Sequence, residues 1–423
     1  MMYFHWIAGT LLALIWLSRV VDAGLGVRRL ADISEPEWDR KPLSRAGNRV
    51  AIIVPARNEK DSIEQALHRL LVLDYANYEV IAVNDRSTDQ TGKIMDEVSA
   101  SSQNRLSSKN RSWGDGRPRP STPDPSRTDS SPADLSTPDL KVVHITELPA
   151  GWMGKAHAMY TAAKAATDAD WLLFTDADVM FRPDCLRRAM AYAEVEKPDH
   201  LVVLPHVIMK QPGEKMMLSF FQVLFAFGHR PWKVADPRTK DHIGVGAFNL
   251  VRRSTYEAVG TYERLRFEVV DDMKLGKVIK NAGFRQRVVF GDNLIEIRWA
   301  RGARGVINNL TKNFFAVLSF QIWRALLACA AMAILNLLPF VGVLLAPGWA
   351  RGPYALALGS IFLLYTGLWR QVEIRPWYFL LHPVSTVLFI YTMLRSMIFT
   401  LWQGGVEWRG TLYPLDELRK GLV

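Results

Sequence analysis

The chain has 423 residues, 49% of them apolar, and its 52 Lys and Arg exceed its 42 Asp and Glu by ten. Two cysteines, Cys185 and Cys329, exclude a disulfide framework and a cysteine-based zinc site, and suit a reducing compartment. Many of the excess cations flank apolar runs (Arg19, Arg28, Arg29; Arg298, Arg301, Arg304, Lys312; Arg370, Arg375), without zinc-finger spacing or RNA-binding aromatics, so they fit anionic lipid and argue against nucleic acid.

Residues 6–17 (WIAGTLLALIWL) form an uncharged run with no basic stretch before it and arginines after it. That pattern reads as a signal anchor at about 1–25, with a cleaved signal as the alternative. The positive-inside rule then places the following body in the cytoplasm. The body, 45–313, opens with VAIIVP (50–55), a continuous apolar run of the kind buried on both faces of a parallel sheet. A helix over SIEQALHRLLVL follows, then a strand YEVIAVND (78–85) and a helix GKIMDEV. Strands alternating with helices predict an α/β fold with a mostly parallel sheet.

Residues 100–139 are rich in Ser, Pro, Asp, Arg and Asn without apolar periodicity, and read as a disordered insertion. The fold resumes with KVVHI (141–145), a helix KAHAMYTAAKAA, and strands WLLFT (171–175) and LVVLP (201–205). MMLSFFQVLFAFG (216–228) is too short to span a bilayer and reads as a core helix or an interfacial one. Apolar segments at 320–346, 354–369 and 377–402 make up a membrane region, 314–403, before a tail, 404–423. Three full crossings would put that tail outside. Arg395, Pro376 and Pro383 in or beside the last segment instead suggest that one segment lies in the interface or re-enters, which keeps the tail cytoplasmic.

Ligands of open α/β sheets sit at the carboxyl ends of the strands. Each odd polar cluster falls at such an end: Arg57-Asn58-Glu59, Asn84-Asp85, and Asp176 with Asp178. Asp85 alone would serve equally as a helix cap. Residues i and i+2 of an extended segment share a side, so Asp176 and Asp178 converge, a pairing suited to Mg²⁺ or Mn²⁺ that also binds phosphate oxygens. GWMGKA (151–156) lacks the first glycine of a phosphate loop, and Ala156 stands where Ser or Thr would touch the metal. Lys155 still brings an ammonium to a diphosphate.

The order PARNE, NDRSTD, GKAHA, TDADV, GVGAFNLVRRS, VVDDMKLG over about 50–290 resembles the family 2 glycosyltransferases of the GT-A fold. The resemblance implies that Asp85 and the loop Pro55, Ala56, Arg57, Asn58, Glu59 bind a nucleotide, with a UDP-sugar as the expected donor. It assigns Asp176 and Asp178 to diphosphate and metal, and Asp272, second of the pair Asp271-Asp272, to the catalytic base of an inverting displacement. Gly244 and Gly246 then allow close approach to sugar or acceptor, or form a plain turn. The layout and the tail Trp408-Arg409-Gly410, Tyr413-Pro414 are similar to the hopene-associated members, which implies a lipid acceptor such as a hopanoid at the inner membrane. Processive members carry Gln-x-x-Arg-Trp, whereas Ile295 stands in place of that glutamine before Arg298 and Trp299, against a polymer synthase. Arg298 and Trp299 are placed on the acceptor side with Asp271. A polyprenyl-phosphate acceptor, recognised by Arg301 and Arg304, and a silent membrane scaffold are the competing readings.

Overall fold

The computed structural model describes residues 2–42, 48–112, 138–372 and 374–422. After a long apolar helix, α1 (Met2–Gly26), the body forms around β1 (Val50–Ala56), whose residues 50–54 are all inaccessible to solvent. Alternate side chains of this strand enter opposite layers. Ile52 and Val54 pack with α2 (Ile63–Leu70), while Ala51 and Ile53 pack on the other face. A strand covered on both sides has no use for polar residues, which explains the unbroken run in the sequence.

β2 (Tyr78–Asp85) and β3 (Asp139–Ile145) extend the sheet in parallel on one side of β1, joined through α3 (Thr91–Ser112). α4 (Gly154–Ala165) then leads to β4 (Trp171–Phe174), parallel to β1 on its other side. The small strand β5 (Val179–Phe181) and α5 (Cys185–Glu196) precede β6 (His200–Leu204) and the short β7 (His206–Val207). Past α6 (Pro212–His229), β8 (Asn249–Arg252) inserts antiparallel between β4 and β6, followed by α7 (Arg253–Ala258) and α8 (Asp271–Asn281). β9 (Gln286–Phe290) completes a seven-stranded sheet of order β3-β2-β1-β4-β8-β6-β9. β10 (Ile295–Ile297) joins β5 and β7 in a second, three-stranded sheet.

The expected α/β fold with a mostly parallel sheet is the fold observed. α3 runs to Ser112 and so enters the stretch read as an insertion, whose residues 113–137 lie outside the described residues.

Beyond the sheet come α9 (Gly302–Val317), α10 (Ile322–Asn336), α11 (Leu338–Leu345), α12 (Arg351–Val372) and α13 (His382–Gln403). Among the described residues, two helical stretches, Met2–Arg29 and Pro376–Gln403, are long and apolar enough to cross a membrane. The α10–α11 pair, bent by 42°, makes a third if it is one span. α1 lies along α12, burying Leu12 and Trp16 with Tyr354 and Ile361 while Leu11, Leu14 and Ile15 face outward. The chain ends in a hairpin, β11 (Gly405–Trp408) and β12 (Thr411–Pro414), and α14 (Leu415–Lys420). Val406, Tyr413 and Leu418 pack into the same core layer as α4 and α8, so the tail belongs to the body.

Candidate active site

The sheet aligns three strand ends. Ala56 pairs with Asn84 and Ile53 with Phe174, so the segments after β1, β2 and β4 leave the core side by side. β8 runs opposite to β4, with Phe174 facing Asn249, and this carries the preceding loop, 244–248, back to the same edge. There the Asp176 amide donates to the Gly246 carbonyl at 2.9 Å.

Asp85, at the end of β2, is buried and accepts from Arg86 Nε at 2.7 Å, with Arg57 4.0 Å away. A Cβ on Gly154 would meet Asp85 Oδ2 at 2.3 Å, so the start of α4 approaches only because residue 154 is glycine. The loop after β1 is fixed by Asn58, which has φ 55° and accepts from the Thr88 amide at 2.8 Å. Arg57 Nε is buried with no hydrogen-bond partner, a donor left over beside Asp85.

Lys155, one residue into α4, pairs with Asp176 Oδ1 at 2.8 Å and lies 3.5 Å from Asp271 Oδ1. Burial favours its neutral form, but Asp176, Asp271 and Asp272 outweigh that and raise its pKa. Asp178 has the opposite surroundings. Burial first, then the charges of Asp176 and Glu59, push its carboxyl up to about 6. Asp178 could hold a divalent cation together with Asp176. Asp176 and Asp178 supply only two carboxylates, a donor set that leaves further positions to phosphate oxygens and water.

The two acids at the start of α8 divide their roles. Asp271 is 3% exposed and anchored by Lys155 and by the Tyr262 hydroxyl at 3.3 Å. Asp272 is only partly buried and is oriented by two backbone amides, Gly246 to Oδ2 at 2.8 Å and Met273 to Oδ1 at 2.7 Å. Burial and the neighbouring Asp271 push Asp272 up to about 6. Such a carboxylate, fixed in place and reaching the cavity, is able to take a proton.

The loop glycines are steric necessities as well as turn formers. A Cβ on Gly244 would lie 1.8 Å from the Asp272 carbonyl oxygen, and one on Gly246 would lie 2.4 Å from Asp176 Oδ2.

These groups line one cavity of about 1330 Å³. Pro55, Ala56, Arg57, Glu59, Asp85, Lys155, Asp176, Asp178, Gly244, Gly246, Asp271, Asp272 and Trp299 all reach it; Asn58 and Arg298 do not. Arg298 instead pairs at 3.0 Å with the fully buried Glu214, which caps α6. Arg301 and Arg304 are exposed and stand off the cavity. Trp299 stacks on Phe221 of α6, with ring centroids 5.4 Å apart. Apolar side chains also line the cavity: Leu224 and Phe225 of α6, Phe314 of α9, Met332 of α10 and Phe389 of α13. The run 216–228, read as a core or interfacial helix, thus has one face in the core and another on the cavity.

Sequence reasoning gave no site role to the C-terminal hairpin, yet Trp408, Arg409 and Tyr413 line the cavity. Arg409 donates to the Arg57 carbonyl at 2.7 Å and pairs with Glu59, while the Tyr413 hydroxyl accepts from the Gly154 amide at 3.0 Å. The only available signal was the aromatic and cationic density of the tail.

Residues 51–118 and 124–260 match the model of the glycosyl transferase family 2. The 4,4'-diaponeurosporenoate glycosyltransferase of Staphylococcus aureus (strain USA300) is 22% identical over 416 residues, covering 95% of this chain and 99% of its own. A solved mannosyltransferase from Pyrobaculum calidifontis, in complex with GDP-Man and Mn²⁺, is 19% identical with a TM-score of 0.48, covering 94% of this chain and 99% of that one. The TarS protein of S. aureus (residues 1–349, in complex with UDP-GlcNAc) is 15% identical with a TM-score of 0.39, covering 84% and 92%.

Proposed function

This chain carries a family 2 glycosyltransferase domain of the GT-A fold, and on that premise we propose that it is a membrane-anchored inverting transferase moving one sugar from a nucleotide donor to a lipid. One observation carries the reading: a single cavity is lined both by Asp85, Asp176, Asp178 and Asp272 and by apolar side chains of α6, α9, α10 and α13. A water-soluble acceptor would have no use for that apolar lining. The curated relative, named for a carotenoid acid, supports an apolar acceptor, and a hopanoid or related lipid fits the same description.

Asp85 and the loop at 55–59 hold the nucleotide, expected to be a UDP-sugar. Mg²⁺ or Mn²⁺ held by Asp176 and Asp178 would supply positive charge to the leaving diphosphate. Asp272, oriented by the amides of Gly246 and Met273, takes the proton of the acceptor hydroxyl as its oxygen attacks the anomeric carbon. The C–O bond to the diphosphate breaks as the new one forms, which inverts the configuration. Lys155, 3.5 Å from Asp271, offsets part of the negative charge beside the base.

The domain faces the cytoplasm of a bacterial inner membrane in this reading. Because Arg409 of the tail binds the donor loop, the chain must cross an even number of times between α9 and the hairpin. A polyprenyl-phosphate acceptor is less well supported, since Arg301 and Arg304 stand off the cavity. The test is sugar transfer by the purified full-length chain from radiolabelled UDP-glucose, UDP-GlcNAc or GDP-mannose to total bacterial lipid, with products identified by mass. Transfer that Asp272→Asn abolishes supports the reading, whereas labelling of water-soluble acceptors alone overturns it.

A further inference from the structure

Lys312, on α9, lines the cavity without a carboxylate partner among the described residues. By contrast Lys155 has Asp176 and Asp271, Arg409 has Glu59, and Arg86 has Asp85. Among the described residues no carboxylate comes within ion-pair distance of Lys312. Its ammonium instead lies over the Trp408 ring, 4.4 Å from the centroid, and both side chains line the cavity with Lys155 and Asp176.

Trp408 is delivered there by the terminal hairpin. Arg409 and Gly410 form its two-residue turn with φ of 51° and 75°, the left-handed pair that matches strand twist. Arg409 and Tyr413 then pin the hairpin to the β1 loop and to the start of α4. The indole face is a weak counter-charge for an ammonium, well below what a carboxylate or phosphate provides. Burial and the nearby charges of Lys155 and Arg409 also lower the Lys312 pKa, so the charged ammonium is under-compensated as it stands.

Resting on the transferase reading above, we propose that Lys312, held on the face of Trp408, is the cation that receives the donor's diphosphate. The donor site is thereby completed by α9 and the C-terminal hairpin, both outside the matched family segment. The location favours the diphosphate over an acceptor headgroup. Trp408, under the ammonium, is followed by Arg409, which binds the Arg57 carbonyl and Glu59 of the donor loop, and charges on Lys155, Asp176, Arg409 and Asp271 all act on Lys312. In the transfer step Lys312 makes no bond and moves no proton. It stabilises the charge that develops on the diphosphate oxygens as the anomeric C–O bond breaks.

The experiment is calorimetric titration of the full-length chain in detergent with UDP and GDP, each against its monophosphate, in Mg²⁺. Lys312→Met is expected to weaken the diphosphate that binds by about tenfold or more, the scale of a lost charge-assisted hydrogen bond, and the monophosphate far less. Lys312→Arg should restore most of the affinity, and Trp408→Ala should lower it where Trp408→Phe does not. If Lys312→Met fails to fold, Lys312→Gln with a wild-type melting transition carries the same comparison. Equal loss of mono- and diphosphate, no loss, or a rise confined to the KM of the lipid acceptor overturns the assignment alone. If the wild-type chain binds neither diphosphate, the transferase reading falls and takes this assignment with it.

Discussion

The amide of Gly246 donates to Asp272 Oδ2 at 2.8 Å, and a side chain on the same residue would strike Asp176 Oδ2 at 2.4 Å. One glycine therefore sets Asp272, the proposed base, against Asp176, and no larger residue can do so without moving one of them. Gly246→Ala should lower kcat/KM by about a hundredfold, the scale of a misplacement near 1 Å, with little change in melting temperature. Gly244→Ala is a harsher change, because its Cβ would meet the backbone carbonyl of Asp272 at 1.8 Å. It should lower both activity and the folded yield, read by size-exclusion chromatography beside initial rates.

In the proposed mechanism the acid limb of the pH profile belongs to Asp272. Its carboxyl is pushed up to about 6 by burial and by Asp271, so it is ionised above that pH and protonated below it. A base must be ionised to accept a proton. Activity is therefore held above pH 6 and should fall by about tenfold for each unit below it, measured as kcat/KM for the lipid acceptor. Asp272→Asn should cost between about 10²- and 10⁴-fold at neutral pH and leave donor binding intact.

The sheet and its acids were legible because a strand covered on both faces admits only apolar residues. Any acid at its end is then conspicuous, as Asp85 and Asp176 are. Asp271 and Asp272 needed the family resemblance, since two acids opening a helix look like ordinary dipole partners. Arg298 was misleading. It stands beside Trp299 as in a known motif, but the structure turns it onto Glu214, a pairing 84 residues away that no local pattern reveals. Arg409 and Tyr413 were illegible for the same reason, since their partners Arg57 and Gly154 lie 352 and 259 positions off.

Arg298 accordingly should matter for folding and not for binding. Glu214 is fully buried, accepts from the Lys210 and Gln211 amides, and has Arg298 as its ion-pair partner. Arg298→Ala leaves that carboxylate without its counter-charge, which should destabilise the chain by about 1–3 kcal/mol. Thermal unfolding in detergent should show the loss, while the KM of donor and acceptor in the folded fraction stays within about twofold of wild type.

Tyr413→Phe tests the tail contact by a single atom. Its hydroxyl accepts from the Gly154 amide in a buried setting, and no other acceptor is recorded for that amide. Stranding a buried N–H costs about 1–3 kcal/mol, so the melting transition should fall. Because Gly154 abuts Asp85, the KM of the nucleotide donor should rise as well, whereas a tail that only packed would move the melting transition alone.

Phe225 belongs to the apolar lining of the cavity, partly buried and stacked on His229 with centroids 4.9 Å apart. If an apolar chain lies against it, Phe225→Asp forces that chain and a carboxylate to share a space with little water. An ionised carboxylate in apolar surroundings costs several kcal/mol, so the two exclude each other. The variant should lose about tenfold or more in kcat/KM for a long-chain lipid acceptor. Phe225→Leu keeps the site apolar and should lose far less. Donor affinity and slow hydrolysis of the donor by water should be unchanged in both, since neither reaction needs an apolar chain against Phe225. Equal loss for a lipid acceptor and for water would mean that Phe225 supports the fold of the site, not the acceptor.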